Sequence, residues 1–284
     1  MRALVLVLVL AACGPGDRSG SDNPDANGHD SPADAPVTHP PDGSDGESLV
    51  YAHSGTMLYV LDSTTFAVSQ IGAFNIGGTS ITDLAVDKNG AMSGVSLQSL
   101  YTIDPTTGAA TLVRALDNSA SGATSLSYIP SDLTDPTSAD ILVTANDQGD
   151  VFQIDPTTGD ATSLGSYGTV AAGRVVSSGD LIGVRGFGIY ATVNVGTDTS
   201  TDDYLAKIDP TTWKATPLGT GTGYKKIFGL GFWAGTIYGF VDDGNGTIIS
   251  IDPNTGAGTD VAHGTQGWFG AGVTTSAPII GRTL

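Results

Sequence analysis

The chain has 284 residues, with 29 acids against 11 bases and a formal net charge of -18. Such a surface repels nucleic-acid phosphates, so no nucleic-acid partner is expected. Every acid except Glu47 is aspartate, beside 40 Gly and 14 Pro; Asp, Gly, Thr and Pro favour turns where Glu and Lys favour helices, which excludes a helical protein and describes short strands joined by tight turns.

Residues 1–13 read as a secretory leader: Arg2 supplies the positive charge, residues 3–10 an apolar run, and Ala11-Ala12 the small residues before cleavage. A run this short cannot span a bilayer. Leu10-Ala11-Ala12-Cys13 resembles the lipobox of bacterial lipoproteins. The resemblance implies that Cys13 receives a diacylglycerol, becomes the new N-terminus and is then acylated, commonly with palmitate. Cys13 is the only cysteine in the chain, which removes any disulfide. Several acyl chains at about 0.8 kcal/mol per buried methylene make a stable membrane anchor. In Gram-negative lipoproteins an Asp after the cysteine often signals retention at the inner membrane; here Gly14 follows. The expected address is therefore the cell envelope, and the outer membrane if the organism is Gram-negative.

Residues 14–48 carry eight acids, one base (Arg18), many Pro, Gly, Ser and Asn, and almost no large apolar residue. They bury too little surface to offset ordering entropy, so they read as a flexible tether reaching about 30 to 35 Å. His29 and His39 fall within it and lack the fixed geometry of a metal site. The expected organisation is a leader at 1–12, a lipidated acidic tether at 13–48 and a folded domain at 49–284.

The folded part repeats. Ile103-Asp104-Pro105-Thr106-Thr107-Gly108 returns at 154–159, as Ile251-Asp252-Pro253-Asn254-Thr255-Gly256, and with a changed last residue at 208–213 and 61–66. Its aspartates, Asp62, Asp104, Asp155, Asp209 and Asp252, stand 42, 51, 54 and 43 residues apart, the spacing of stacked or radial repeats. Each repeat reads as four strands; in the second these are strand a at 81–87, b at 92–95, c at 100–104 and d at 109–113. Strand b recurs at 141–145, 189–193 and 237–241, and strand c at 151–155, 204–209 and 248–252. Four-stranded units in series predict an all-β, five-bladed β-propeller. A six-bladed ring is the alternative if 171–184 holds an extra unit, because either 174–177 or 181–185 reads as the innermost strand there.

The first repeat starts at strand b, 49–53, so its strand a is missing. Residues 268–273 resemble the strand a segments at 81–86 and 227–232, and are expected to complete the first blade and close the ring. The hexapeptide lies between strands c and d, where Asp accepts backbone hydrogen bonds, Pro presets φ and Gly tolerates positive φ. It reads as a structural turn, since one carboxylate per turn falls short of the six to eight oxygens of calcium. Phe66 and Trp213 stand at the glycine position and are expected to pack across it. The pattern LYxIDPTTGxAT, at 100–111 and altered at 151–162, resembles bacterial secreted propellers of the quinoprotein-like or YVTN-like kind. That resemblance implies the fold and carries no catalytic residues; the tryptophan-docking signature of quinone-cofactor propellers is not evident, and no cofactor is expected beyond a divalent cation such as calcium as an alternative.

In a propeller the bc and da loops share the face on which ligands usually bind. Three bc loops are acidic: Asp147 and Asp150, Asp198 with Asp202 and Asp203, and Asp242-Asp243. His53 ends the first strand b, and His263 follows the fifth strand d. Because the fifth and first blades are neighbours, His53, His263, Asp242 and Asp243 are candidates to gather on one rim as a metal or acid-base site; a solvated hairpin and two surface histidines are the simpler reading. Glycoside hydrolysis needs opposed carboxylates, yet the one Glu lies in the tether and no motif marks the aspartates; no G-x-S-x-G elbow is present either. The expected function is a noncatalytic binding or scaffold module with a protein or polysaccharide ligand, displayed on a membrane by its lipid. The alternative is a carbohydrate-active enzyme or sugar-binding lectin using the channel mouth, with Trp233 and Trp268 as its platform.

Overall fold

Turn-rich composition and short apolar runs leave the chain one way to satisfy its backbone, which is strand pairing. The computed structural model describes residues 50–116, 120, 122–196 and 201–280. The leader, Cys13, the tether, Leu49 and Asp198 lie outside the described residues. In chain order the strands are β1 (Val50–His53), β2 (Met57–Leu61), β3 (Val68–Ala73), β4 (Asp83–Val86), β5 (Met92–Val95), β6 (Ser99–Ile103), β7 (Ala110–Ala115), β8 (Ser127–Pro130), β9 (Asp140–Ala145), β10 (Asp150–Ile154) and β11 (Ala161–Ser166). They continue as β12 (Thr169–Val170), β13 (Gly173–Val184), β14 (Gly188–Val195), β15 (Tyr204–Ile208), β16 (Ala215–Pro217), β17 (Ile227–Trp233), β18 (Thr236–Val241), β19 (Ile248–Ile251), β20 (Gly258–Ala262) and β21 (Gly270–Val273). No α-helix occurs among the described residues.

These strands form five antiparallel sheets: β21-β1-β2-β3, β4-β5-β6-β7, β8-β9-β10-β11, β12-β13-β14-β15-β16 and β17-β18-β19-β20. The protein is a five-bladed β-propeller. The expected closure holds, with β21 pairing β1 through Val50↔Val273 to His53↔Gly270, so blade 1 is built from both ends of the domain. The six-bladed alternative falls, because both candidate inner segments of the fourth repeat belong to one strand. Val175–Ser177 and Leu181–Val184 each pair with β14, and the register shifts between them.

Inner strands β4, β8 and β21 are buried along their whole length, as strands must be when neighbours cover both faces. Outer strands such as β3 and β7 have no fully buried residue and expose several to solvent. Aromatic residues fill the joints between blades; Trp268 is fully buried, edge-on to Tyr59 of blade 1 at 5.7 Å and Phe240 of blade 5 at 5.4 Å.

The hexapeptide turns keep one geometry. Asp62 Oδ1 accepts from the N–H groups of Thr64 and Thr65, and Asp104, Asp155, Asp209 and Asp252 each accept the N–H two residues on at 2.7–2.9 Å. Each turn also leans on the preceding blade. A side chain at Gly72 of blade 1 would collide with the Thr107 carbonyl of blade 2, and Gly256 of blade 5 stands against Leu218 of blade 4. Phe66 packs edge-on against Tyr238 of blade 5 at 5.8 Å, so the latches run round the ring.

Antiparallel order puts the start of each inner strand at one end of the channel and the hexapeptides at the other. The hexapeptide end is sealed. Arg185 donates to Asp140, to Thr275 Oγ1 and to the Ser138 carbonyl, Thr275 Oγ1 donates to Asp140 Oδ2 at 2.8 Å, and the Lys88 N–H reaches the same oxygen at 2.8 Å.

Candidate functional site

Registers align the five inner strands residue by residue. The hexapeptide isoleucines pair with Met92, Leu142, Ile189 and Ile237, which pair in turn with Val86, Tyr128, Gly183 and Phe232; in blade 1 the series runs Leu61, Val50, Val273. Three residues earlier on each inner strand stand Asp83, Ser125, Asp180, Gly229 and Gly270. One residue earlier still stand Thr82, Thr124, Gly179, Phe228 and Phe269.

The upper of these rings lines a cavity of about 220 Å³ at the open end of the channel, with Leu97 and Ser177 in its wall. Leu97 and Phe269 are 55% and 40% exposed. All five blades therefore contribute to one mouth, apolar on its rim.

The lower ring forms a neck. Asp83 and Asp180 are fully buried and hydrogen-bond to each other. Each also joins two blades. Asp83 accepts from its own neighbour Leu84 at 2.8 Å and from Leu126 of blade 3 at 2.7 Å; Asp180 accepts from Leu181 at 2.6 Å and from Leu230 of blade 5 at 2.7 Å. Burial pushes both carboxyls well above the usual range, and for Asp83 the adjacent Asp180 adds to it. Neighbouring buried carboxyls each disfavour the other's ionisation.

The expected site residues divide among several neighbourhoods, with His263 and Asp243 together and His53 apart. His53 ends β1 inside the protein, donating from Nδ1 to the Ser54 carbonyl at 2.9 Å and placing Nε2 3.8 Å from Asp83 Oδ1; burial lowers its pKa to about 4. His263 instead bonds Thr247 Oγ1 at 3.1 Å and stands 3.9 Å from Asp260. Asp243 accepts from the same Thr247 at 2.6 Å, and these residues line a polar cleft with Tyr224 and Asn245 on blade 5. Asp242 faces Lys226 at 3.8 Å, Asp150 takes a hydrogen bond from Arg174 at 3.0 Å, and Asp147 is exposed beside Gln148. Asp202 is partly exposed, but Asp203 is buried, accepting from Ile227 N–H and Asn194 at 2.8 Å each. Among the described residues no group of three or more His, Cys, Asp and Glu could hold a metal ion. His53 and His263 thus serve different neighbourhoods, because His53 points inward to the neck. Trp268 is core, and the partly buried Trp233 packs against the same core.

Sequence reasoning passed over Asp83 and Asp180. The available signal was Asp-Leu at the start of β4 and within β13, since aspartate is depleted in strands unless something there requires it.

No protein-family model and no curated protein matches the sequence. Solved structures do match in shape. A chain of the nidogen/laminin complex superposes with a TM-score of 0.53 at 12% identity, over 82% of this chain and 100% of that one. A Bacteroides caccae protein of unknown function gives 0.45 at 8% identity, over 80% and 98%, and the Dos1 propeller 0.40 at 16%, over 76% and 56%. At such identities the likeness concerns the fold, and the class that fold defines is the β-propeller.

Proposed function

We propose that this chain is a noncatalytic binding module, held outside the cytoplasm on a bacterial membrane through lipid on Cys13 and presenting the channel mouth to its ligand. The supporting observation is the mouth itself: one residue from each blade lines a single concave, apolar cavity, the form that ligand sites take. The expected enzyme alternative gains nothing from the neck, whose paired carboxyls are bonded to each other and to four backbone N–H groups. A binding role tests directly. Phe269→Ala should abolish thermal stabilisation by any ligand that raises the unfolding midpoint of the full chain, because a ligand that binds only the folded state raises stability; a stabilising ligand indifferent to Phe269→Ala and Leu97→Ala sinks the mouth as the site. The anchor tests separately. Cys13→Ala should move the protein from the membrane fraction to the soluble one and end its labelling by palmitate.

A further inference from the structure

We propose that the neck is a pH-sensitive clasp: a proton joining Asp83 to Asp180 holds blades 2 and 4 together at the floor of the mouth, and the ring parts there when rising pH removes it. This goes beyond the reading of the mouth as a binding site and does not depend on it. The two side chains reach the axis from different blades and hydrogen-bond to each other. An ionised carboxylate only accepts, so that bond contains a proton and cannot form without one.

Every blade has a part in the arrangement. Asp83 accepts the Leu126 N–H of blade 3 and Asp180 the Leu230 N–H of blade 5, each at 2.7 Å, and His53 of blade 1 stands 3.8 Å from Asp83 Oδ1. Nothing there can replace the proton with another positive charge. His53 donates Nδ1–H to the Ser54 carbonyl, its buried Nε2 has no hydrogen-bond partner, and burial lowers its pKa to about 4. Tyr167 is also fully buried, and burial followed by the nearby Asp180 pushes its hydroxyl up, which keeps it neutral. Among the described residues no lysine or arginine forms an ion pair with either carboxyl. Losing the proton therefore leaves two like charges fully buried, and water reaches them only if the ring opens.

The clasp is continuous with the mouth. Thr82 and Gly179 of the mouth immediately precede Asp83 and Asp180, and Phe269 precedes Gly270, where a side chain would collide with His53 Nε2 and Asp83 Oδ1. Parting of the neck thus moves mouth residues on blades 2, 4 and 1. Burial raises both carboxyls well above their unfolded range, so their stabilisation is complete at low pH and is lost as pH rises through the raised values.

Amide hydrogen exchange of the full chain from pH 6 to pH 10, expressed as protection factors that remove the intrinsic pH dependence of exchange, reads the clasp locally. Protection of the Leu126, Leu230 and Phe269 amides, the last bonded to the His53 carbonyl, is expected to fall about tenfold or more. The Arg185 amide at the hexapeptide end, bonded to the Thr275 carbonyl, should keep its protection over the same range. In the double variant Asp83→Asn with Asp180→Asn, whose side chains stay neutral and able to bond throughout, the loss at Leu126, Leu230 and Phe269 should disappear. Unchanged protection at the neck up to pH 10, an equal loss at Arg185, or a loss that survives in the double variant overturns the clasp. The contrast between neck and Arg185 decides the matter on the native chain even if the double variant does not fold. None of these outcomes bears on the Phe269→Ala and Leu97→Ala test of the mouth, so the two readings fail separately.

Discussion

At the sixth position of the hexapeptide, Gly108, Gly159 and Gly256 have φ of 76°, 73° and 74°, and Phe66 and Trp213 adopt the same left-handed conformation at 58° and 59°. That conformation costs a side-chain-bearing residue about 1 to 2 kcal/mol. Trp213 is 5% exposed, so its burial outweighs the strain. Trp213→Gly is therefore expected to destabilise by about 2 to 3 kcal/mol in urea unfolding, the cost of a lost buried aromatic less the strain relieved; an unchanged midpoint would show that the ring contributes no packing. Asp203 sets a pH dependence. Burial raises it to about 6, against the hydrogen bonds of Ile227 and Asn194. A folded-state value above the unfolded one means the folded state holds the proton more tightly, so this contribution is complete below about pH 4 and is lost as pH rises through 6. The displacement corresponds to about 3 kcal/mol. Relative to the parent, Asp203→Asn should lose correspondingly less unfolding free energy between pH 4 and 7, and parallel curves would refute the assignment. Asp203 was legible as a loop acid but not as a buried one, because burial comes from the Ile227 segment of the next blade, 24 positions away.

Among elements, most strands could be read from alternation and from the hexapeptide that fixes the end of each strand c. β13 could not. Its 12 residues run past the length of the other inner strands, and Ser178-Gly179-Asp180 interrupts the apolar pattern at its register shift. Those three residues are where the strand turns its polar groups toward the mouth and neck, so the interruption that obscured the strand is part of the candidate site. The latch between blades makes a cleaner test. Gly72 has ordinary φ, yet the Thr107 carbonyl of the next blade occupies the space of its Cβ. Gly72→Ala must move backbone against backbone, an overpacking expected to cost about 1 to 3 kcal/mol. The same change in a loosely joined pair of blades would be neutral, so an unaltered urea midpoint would mean the turn does not bear on blade 1.

The whole molecule depends on its last strand. Closure was legible because blade 1 lacks a strand that the C-terminal segment resembles; the neck was not, because Asp83 and Asp180 lie 97 positions apart and meet only when the ring forms. Beyond β21, Thr274 donates to the Asp87 carbonyl at 2.9 Å and Thr275 joins the Arg185–Asp140 seal, so the segment touches blades 2, 3 and 4 as well as 1. Trp268 just before it fills the joint between blades 5 and 1. Removing residues 267–284 deletes that side chain, Thr275 from the seal and the inner strand of blade 1, exposing β1 as an unpaired edge. A closed ring unfolds as one unit because each blade is held on both sides; an opened one has two free ends. The truncated chain is therefore expected to lose its single sharp transition, showing a broadened or multiphasic denaturant curve with a lower slope, since less surface is buried to begin with. A truncated chain that keeps the parent's midpoint and slope would mean that the blades are held by the latches alone and that closure adds nothing to their stability.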